Sequence, residues 1–297
     1  MKTIKLLVTG ASSQVGSALS IRASNAGMIV VGFDDAVLNS IQLEPIQAVI
    51  STCKPDYVVN TVSYSVVDLA QDNPHKTHVD NHDVALVLAQ ACDGLGLPLL
   101  HLSSDYVFDG LQRVPYKEDA YTAPVNRFGE AKLAAEKAIK QHCAKHIILR
   151  VGWIFSAYGN NFVLRTLRQL QEHHHVKAVS DQHGCPTYAN DVARVLIAII
   201  QQLECDINVW GTYHYSGAEV TSWKGFAEAI LAAAKKHGVT QAQTIDAVTS
   251  LEWPANAPRP AYSVLDCTKI LSTFGIRQRP WRSGLVKVID QVFKPAE

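Results

Sequence analysis

Aliphatic and β-branched runs at positions 4–9, 28–33, 57–60, 99–103 and 146–151 alternate with amphipathic stretches at 14–25, 41–53, 77–95 and 126–142. A strand, a helix of that length and a second strand join one sheet through a right-handed crossover, which makes the strands parallel. Strands covered on both faces read as near-continuous apolar runs, as these do. The expected fold class is α/β, a doubly wound parallel sheet with helices on both faces.

At 297 residues the chain can bury more than one core, and its rhythm changes after Trp153. We expect a first domain over residues 1–155 and a smaller substrate lobe over 156–297, some of whose segments rejoin the main sheet. In that lobe helical patterns fall at 162–172, 190–202 and 222–236, a β pattern at 211–215, and a terminal helix near 284–293. His173, His174 and His175 end the first of these helices, where a solvated run is the simpler reading than a metal site. Lys plus Arg and Asp plus Glu each total 27, so no bulk field draws the chain to nucleic acid or to an acidic membrane. Cys53, Cys92, Cys143, Cys185, Cys205 and Cys267 are scattered without a CxxC pair, the usage of reduced thiols in a cytoplasm. The opening apolar run is too short for a signal peptide, and no run is long enough to cross a bilayer. A cytoplasmic protein without a metal centre is expected, and a homodimer stays open.

Gly10-Ala11-Ser12-Ser13-Gln14-Val15-Gly16 joins the first strand pattern to the first helix pattern. Amides at such a helix start suit a dinucleotide pyrophosphate, which makes the sheet Rossmann-type and the first domain NAD(P)-binding. Gly10 serves the tight turn and Gly16 the close packing of helix on sheet. Ser12, Ser13, Gln14 and Val15 complete the loop, with Ser13 where a third glycine is usual. Asp34 follows the second strand, where a carboxylate accepts from ribose hydroxyls and repels a 2′-phosphate. NADH is therefore favoured over NADPH; the alternative is that Asp34 opens a polar turn.

Reduction of a ketone needs a proton donor for the developing alkoxide and a polar group on the carbonyl oxygen. Ser104 ends the fourth strand pattern, and Lys132 stands four residues after Phe128 on one face of a predicted helix. A hydroxyl, an aromatic and a lysine so spaced form most of a carbonyl-reducing site. The phenol is missing, because Phe128 holds its place.

Around these residues lies an ordered series: Lys54-Pro55-Asp56-Tyr57-Val58-Val59-Asn60, Val66-Val67-Asp68, Ser103-Ser104-Asp105-Tyr106-Val107-Phe108-Asp109-Gly110, Gly129-Glu130-Ala131-Lys132, Gly159-Asn160-Asn161-Phe162, Asp181-Gln182-His183-Gly184-Cys185-Pro186-Thr187, Arg259-Pro260 and Ser263-Val264-Leu265-Asp266. Over almost its full length the chain resembles the dTDP-4-dehydrorhamnose reductase family of extended short-chain dehydrogenases. The resemblance implies an NADH- or NADPH-dependent reduction of the C4 carbonyl of a dTDP-4-keto-6-deoxysugar, dTDP-4-dehydro-L-rhamnose to dTDP-L-rhamnose. It implies that Ser104, Phe128 and Lys132 hold the catalytic positions, with Lys132 on the nicotinamide ribose. Val62, Ser63 and Tyr64 would border the cofactor, and Asn39 would lie near the adenine, where the family usually has Asp. Ser104, Asp105 and Tyr106 would touch substrate, Trp153 would pack on the deoxysugar, and Asn161, Gln182 and Arg259 would hold the nucleotide diphosphate. Trp153 as simple core, and Arg259 paired with Asp266 or capping a turn, are the alternatives. Thr61-Val62-Ser63 replaces a small Ala-rich run, bringing bulk toward the cofactor. A second function follows from Phe128: a non-catalytic nucleotide-binding regulatory subunit resembling the beta subunit of methionine adenosyltransferase.

Overall fold

In the computed structural model, which describes residues 3–33, 38, 41–205 and 207–294, the chain is built around a six-stranded parallel sheet. Its strands are β1 (Lys5–Thr9), β2 (Ile29–Phe33), β3 (Tyr57–Asn60), β4 (Leu99–Ser104), β5 (His146–Val151) and, from the second half of the chain, Gly211–His214. The order is Gly211–His214, β5, β4, β3, β1, β2, with Leu6 opposite both Val30 and Tyr57 and Leu99 opposite His146. The order reverses between β1 and β3. A crevice at such a reversal, outside the carboxyl ends of the strands, is where α/β sheets take ligands.

Helices cover both faces. On one lies α1 (Gln14–Asn25), packed on the later helix Ala189–Leu203 over a core that includes Leu6, Val8, Leu100 and Leu149. On the other lie α2 (Leu43–Cys53), α5 (Val84–Gly94) and α6 (Arg127–His142), over Leu7, Val58, Leu99 and Ile148. The alternation of these core residues along each strand is the period-two rule for a sheet buried on both sides. A short helix that the sequence did not signal, α3 (Val67–Asp72), precedes α4 (Pro74–His78), which runs into α5 through a π-helical stretch, Val79–Asp83. The helix expected over 77–95 thus forms, beginning at Pro74 and carrying a π turn.

Beyond β5, the chain forms β6 (Ile154–Phe155), α7 (Phe162–Glu172), β7 (His175–Val179), β8 (His183–Gly184), β9 (Thr187–Tyr188), α8 (Ala189–Leu203) and β10, the sheet strand Gly211–His214. It continues with β11 (Thr221–Ser222), α9 (Trp223–Lys235), β12 (Thr244–Val248), α10 (Thr268–Phe274) and α11 (Trp281–Phe293). α7, α9 and α11 enclose a separate core around Phe155, Leu167, Phe226 and Trp281, edged by the parallel pair β7 and β12. The caps are written in the sequence: Ser13, Asn126, Asn161 and Ser222 each accept a first-turn amide. His173, His174 and His175 are exposed. Among the described residues no helix is long and apolar enough to cross a membrane.

Candidate active site

The loop after β1 closes as the glycines require. Gly10 adopts φ +66°, and a Cβ there would sit 2.9 Å from the Val62 amide. A Cβ on Gly16 would overlap the Gly10 carbonyl, so α1 starts against the sheet only because that residue has none. Ser13 does more than fill a glycine position: its Oγ accepts from Gly16 N at 3.0 Å and lies 3.0 Å from Thr61 Oγ1. Thr61 in turn donates to the Thr9 and Gly10 carbonyls. The expected bulk at Thr61 is thus turned under the loop, away from the cofactor side. Val15 is a correction of another kind, because its side chain belongs to the core and only its amide can face a ligand. The amides of Gln14 and Val15, with no carbonyl four residues back, are the donors left at this helix start. The Gln14 side chain reaches the other lobe, accepting from Ser156 Oγ at 2.9 Å, and Ser12 is exposed. Asp34 and Asn39 lie outside the described residues.

Ser104 and Lys132 both lie toward the carboxyl ends of the central strands. Lys132 is 2 % exposed and donates to the Leu102 carbonyl (3.1 Å) and toward the Val62 carbonyl (3.4 Å), so its ammonium bridges the ends of β4 and β3. Burial lowers its pKa to about 8, with Glu136 partly opposing. The lysine comes this close because Gly129, one turn earlier in α6, packs directly on the Tyr106 carbonyl, where a Cβ would overlap it. Ser104 ends β4 and caps the turn Asp105–Val107, accepting from Tyr106 N (3.1 Å) and donating to Asp105 Oδ1 (3.0 Å). Asp105 is fully enclosed. Burial raises its pKa to about 6 despite hydrogen bonds from Ser263 and Ser104, and its Oδ2 has no partner. Phe128 packs its ring edge-on to Tyr106 at 5.8 Å, in a small apolar cluster with Ala70. No hydroxyl replaces the phenol on α6. Behind the site, Glu136 accepts from Ser103 (2.6 Å) and from Arg150 through both oxygens, an enclosed pair that fixes β4, β5 and α6 together.

Val62, Ser63 and Tyr64 form the loop after β3, held from the π-helical stretch by Asn81, whose Oδ1 accepts from Tyr64 N at 3.1 Å. Next to the crevice, the second half of the chain lines a cavity of about 510 Å³. Gln182 and Arg259 lie in its wall, and so do Arg165, Lys177, Trp223 and Trp253, which the sequence did not single out. Arg165 is held below the usual guanidinium range by burial and by the charge of Arg259. Two guanidiniums converging on one cavity are a receptive site for an anion.

Arg259 pairs with Asp68, Nη2 to Oδ2 at 2.6 Å, and not with Asp266. Asn161 is a correction: its Nδ2 donates to the Ser156 and Tyr158 carbonyls and its Oδ1 accepts from Leu164 N, so the side chain caps α7 instead of reaching a ligand. Trp153, at φ +52°, stacks flat on Trp223 at 3.4 Å, and one face that a sugar would need is taken by this second indole. Metal ligands were not expected from spacing, yet His78, His82 and Asp83 converge on α4 and the π-helical stretch.

A doubly wound parallel sheet with a glycine turn after β1, and a hydroxyl and a lysine toward the carboxyl ends of its central strands, is the arrangement of an extended short-chain dehydrogenase. Residues 4–293 match the family model described as RmlD substrate binding domain. The chain belongs to the dTDP-4-dehydrorhamnose reductase family. It is 34% identical over 292 residues to a dTDP-4-dehydrorhamnose reductase of Sinorhizobium fredii, covering 96% of this chain and 97% of the relative. Among solved structures it is similar to a dTDP-4-dehydrorhamnose reductase of Clostridium acetobutylicum, with TM-score 0.89, 29% identity, and coverage of 97% and 99% of the two chains. A Bacillus anthracis dTDP-4-dehydrorhamnose reductase in complex with NADP also gives TM-score 0.89, at 28% identity, covering 98% of this chain and all (100%) of the other.

Proposed function

We propose that this chain reduces the C4 carbonyl of a dTDP-4-keto-6-deoxysugar with a nicotinamide dinucleotide, converting dTDP-4-dehydro-L-rhamnose to dTDP-L-rhamnose. The observation that carries the reading is the placement of buried Lys132 and Ser104 at the strand tips, next to a cavity of about 510 Å³ walled by Arg165 and Arg259. Residues present fit the dinucleotide: the cradle at Gly10 and Gly16 admits no side chain, and the Gln14 and Val15 amides are open to the pyrophosphate. NADH is our choice, on the carboxylate of Asp34 after β2 and the absence of a neighbouring cation in Asp34-Asp35-Ala36. We also propose the division into a dinucleotide domain, 1–155 joined by α8 and β10, and a substrate lobe from the remainder, working in the cytoplasm.

When bound, a reduced nicotinamide would supply a hydride for the carbonyl carbon. Lys132 would hold its ribose hydroxyls, and Ser104 Oγ donates to the carbonyl oxygen. With Phe128 unable to give a proton, Asp105 is the nearest acid on Ser104. As Ser104 Oγ–H passes its proton to the alkoxide, protonated Asp105 returns one to Ser104 Oγ, and after product leaves the carboxylate regains a proton from water by way of the same hydroxyl. Arg259, Arg165 and Gln182 take the diphosphate side of the substrate, and Tyr106 and Trp153 border its sugar.

The reading is tested by mixing the purified chain with the keto-sugar nucleotide and following NADH absorbance. Measurable turnover is expected, with Phe128→Tyr faster by about 10²–10⁴, the usual contribution of a positioned general acid. No turnover by either protein overturns the reading. Cofactor binding without turnover in the wild type, with co-purification of another enzyme, would favour the regulatory subunit instead.

A further inference from the structure

We propose that His78, His82 and Asp83 form a binding site for a borderline divalent cation of the Zn²⁺ class, on the far side of the loop that borders the cofactor. The three ligand atoms lie within 4.8 Å of one another. His78 Nε2 is 3.4 Å and His82 Nδ1 2.7 Å from the same oxygen, Asp83 Oδ1, and the two imidazoles stack with centroids 4.4 Å apart.

The backbone explains why these three can meet. On an α-helix residues i and i+4 share a face, but residue i+5 is rotated roughly 140° away at 3.6 residues per turn. Val79–Asp83 is π-helical, and its wider turn brings Asp83 back beneath His78 while keeping His82 alongside. A π turn is rare and frequently sits at a functional site. Tetrahedral Zn²⁺ with bonds of 2.0–2.1 Å sets ligand atoms roughly 3.3 Å apart. His78 already meets that spacing, and His82 needs to open by about half an ångström, within side-chain reach.

The donor set selects the metal. Two imidazole nitrogens and one carboxylate suit Zn²⁺, Co²⁺ or Ni²⁺, whereas Mg²⁺ and Ca²⁺ demand oxygen shells that this turn does not offer. Three protein ligands leave a fourth position for water. The nearby Lys76–Asp80 pair, 2.8 Å apart, is self-neutralised and does not repel the cation. Between the two histidines sits buried Asn81, whose amide holds both the N–H and the carbonyl of Tyr64. A cation closing the π turn therefore braces the segment Val62–Tyr64 from behind. This site stands independently of what the crevice turns over.

The test is calorimetric titration of the full chain with ZnCl₂, with Co²⁺ absorption as a second readout of coordination. One saturable site is expected, accompanied by a rise in the thermal midpoint. His82→Ala should abolish binding, His78→Ala should weaken it at least tenfold, and His82→Gln guards against a folding defect. A control with His173→Ala, His174→Ala and His175→Ala together should bind as the wild type does. No saturable binding by the wild type overturns the proposal. So does binding that survives the loss of His78 and His82 and disappears in the triple control or in Cys205→Ser.

Discussion

Phe128 changes the chemistry at one atom while leaving its surroundings in order. The ring fills the place of a phenol, packs on Tyr106, and lets Lys132 keep its bonds to the strand tips. Asp105 then becomes the residue whose protonation matters. Its carboxyl titrates near 6 because burial disfavours the charged form, so the proton it holds is lost as pH rises through that value. Turnover by the wild type is expected to fall through the same range, and Asp105→Asn should lower it and remove the pH dependence. Phe128→Tyr should restore turnover to the Asp105→Asn protein, measured as kcat against pH. Stability carries the same sign. A raised acid pKa contributes stability that is complete below the unfolded value of about 4 and lost as pH rises through about 6. At pH 8 Asp105→Asn should therefore unfold at higher denaturant than wild type, by roughly 1–3 kcal/mol. Ser104 and Lys132 were legible in the sequence because strand end and helix spacing fix them. The isolation of Asp105 was not, since it depends on Gly152, Ser263 and Cys185, which the sequence places far away.

Helix α6 delivers Lys132 through a contact that is all backbone. Gly129 lies against the Tyr106 carbonyl, and Asn126, the cap, accepts from Gly129 N at 2.9 Å while donating to the Pro258 carbonyl at 2.8 Å. The start of one helix thus ties the strand-end turn to the second lobe. Gly129→Ala should push α6 off that turn, costing about 1–3 kcal/mol in chemical denaturation, the usual range for overpacking. It should also weaken cofactor binding measured by fluorescence titration, because Lys132 moves with the helix. Elements with a capping residue and a clear period were readable almost to their ends, as at Asn126 and Asn161. The π-helical stretch was not: Val79–Asp83 is polar but for Val79, and an extra residue per turn leaves no mark in composition. Nor were β7 and β12 readable as partners, because they pair across more than sixty residues of chain, His175 opposite Thr244.

At the scale of the whole molecule, one acidic side chain gathers several of the bonds that join the two halves of the chain beside the crevice. Asp68, on α3 of the first domain, accepts from Arg259 through both oxygens and from the Asn256 and Ala257 amides at 3.1 Å each. Burial alone would raise its pKa, but Arg259 and these amides overcome that and hold the carboxyl below its usual range. The proline-rich segment of the second lobe is thereby pinned beside the cavity, with Arg259 presented toward Arg165. The family resemblance put Arg259 in the site, but its partner could not be read from sequence, because Asp68 and Asp266 are equally plausible carboxylates in one dimension. Each charge-assisted bond to a phosphate is worth about 1.5–3 kcal/mol, so Arg259→Ala should raise KM for the sugar nucleotide by roughly ten- to a hundredfold. Arg259→Lys keeps the charge but not the fork, and should fall between the two. Cofactor affinity, read separately by titration, should change less than about twofold, because the site proposed for the dinucleotide lies at β1 and α1. If both affinities fall by the same factor, Arg259 acts by holding the lobes together and not by touching the diphosphate. Asp68→Asn distinguishes these routes: it breaks the pin while sparing the guanidinium, and a KM left unchanged by it would assign the effect of Arg259→Ala to direct contact.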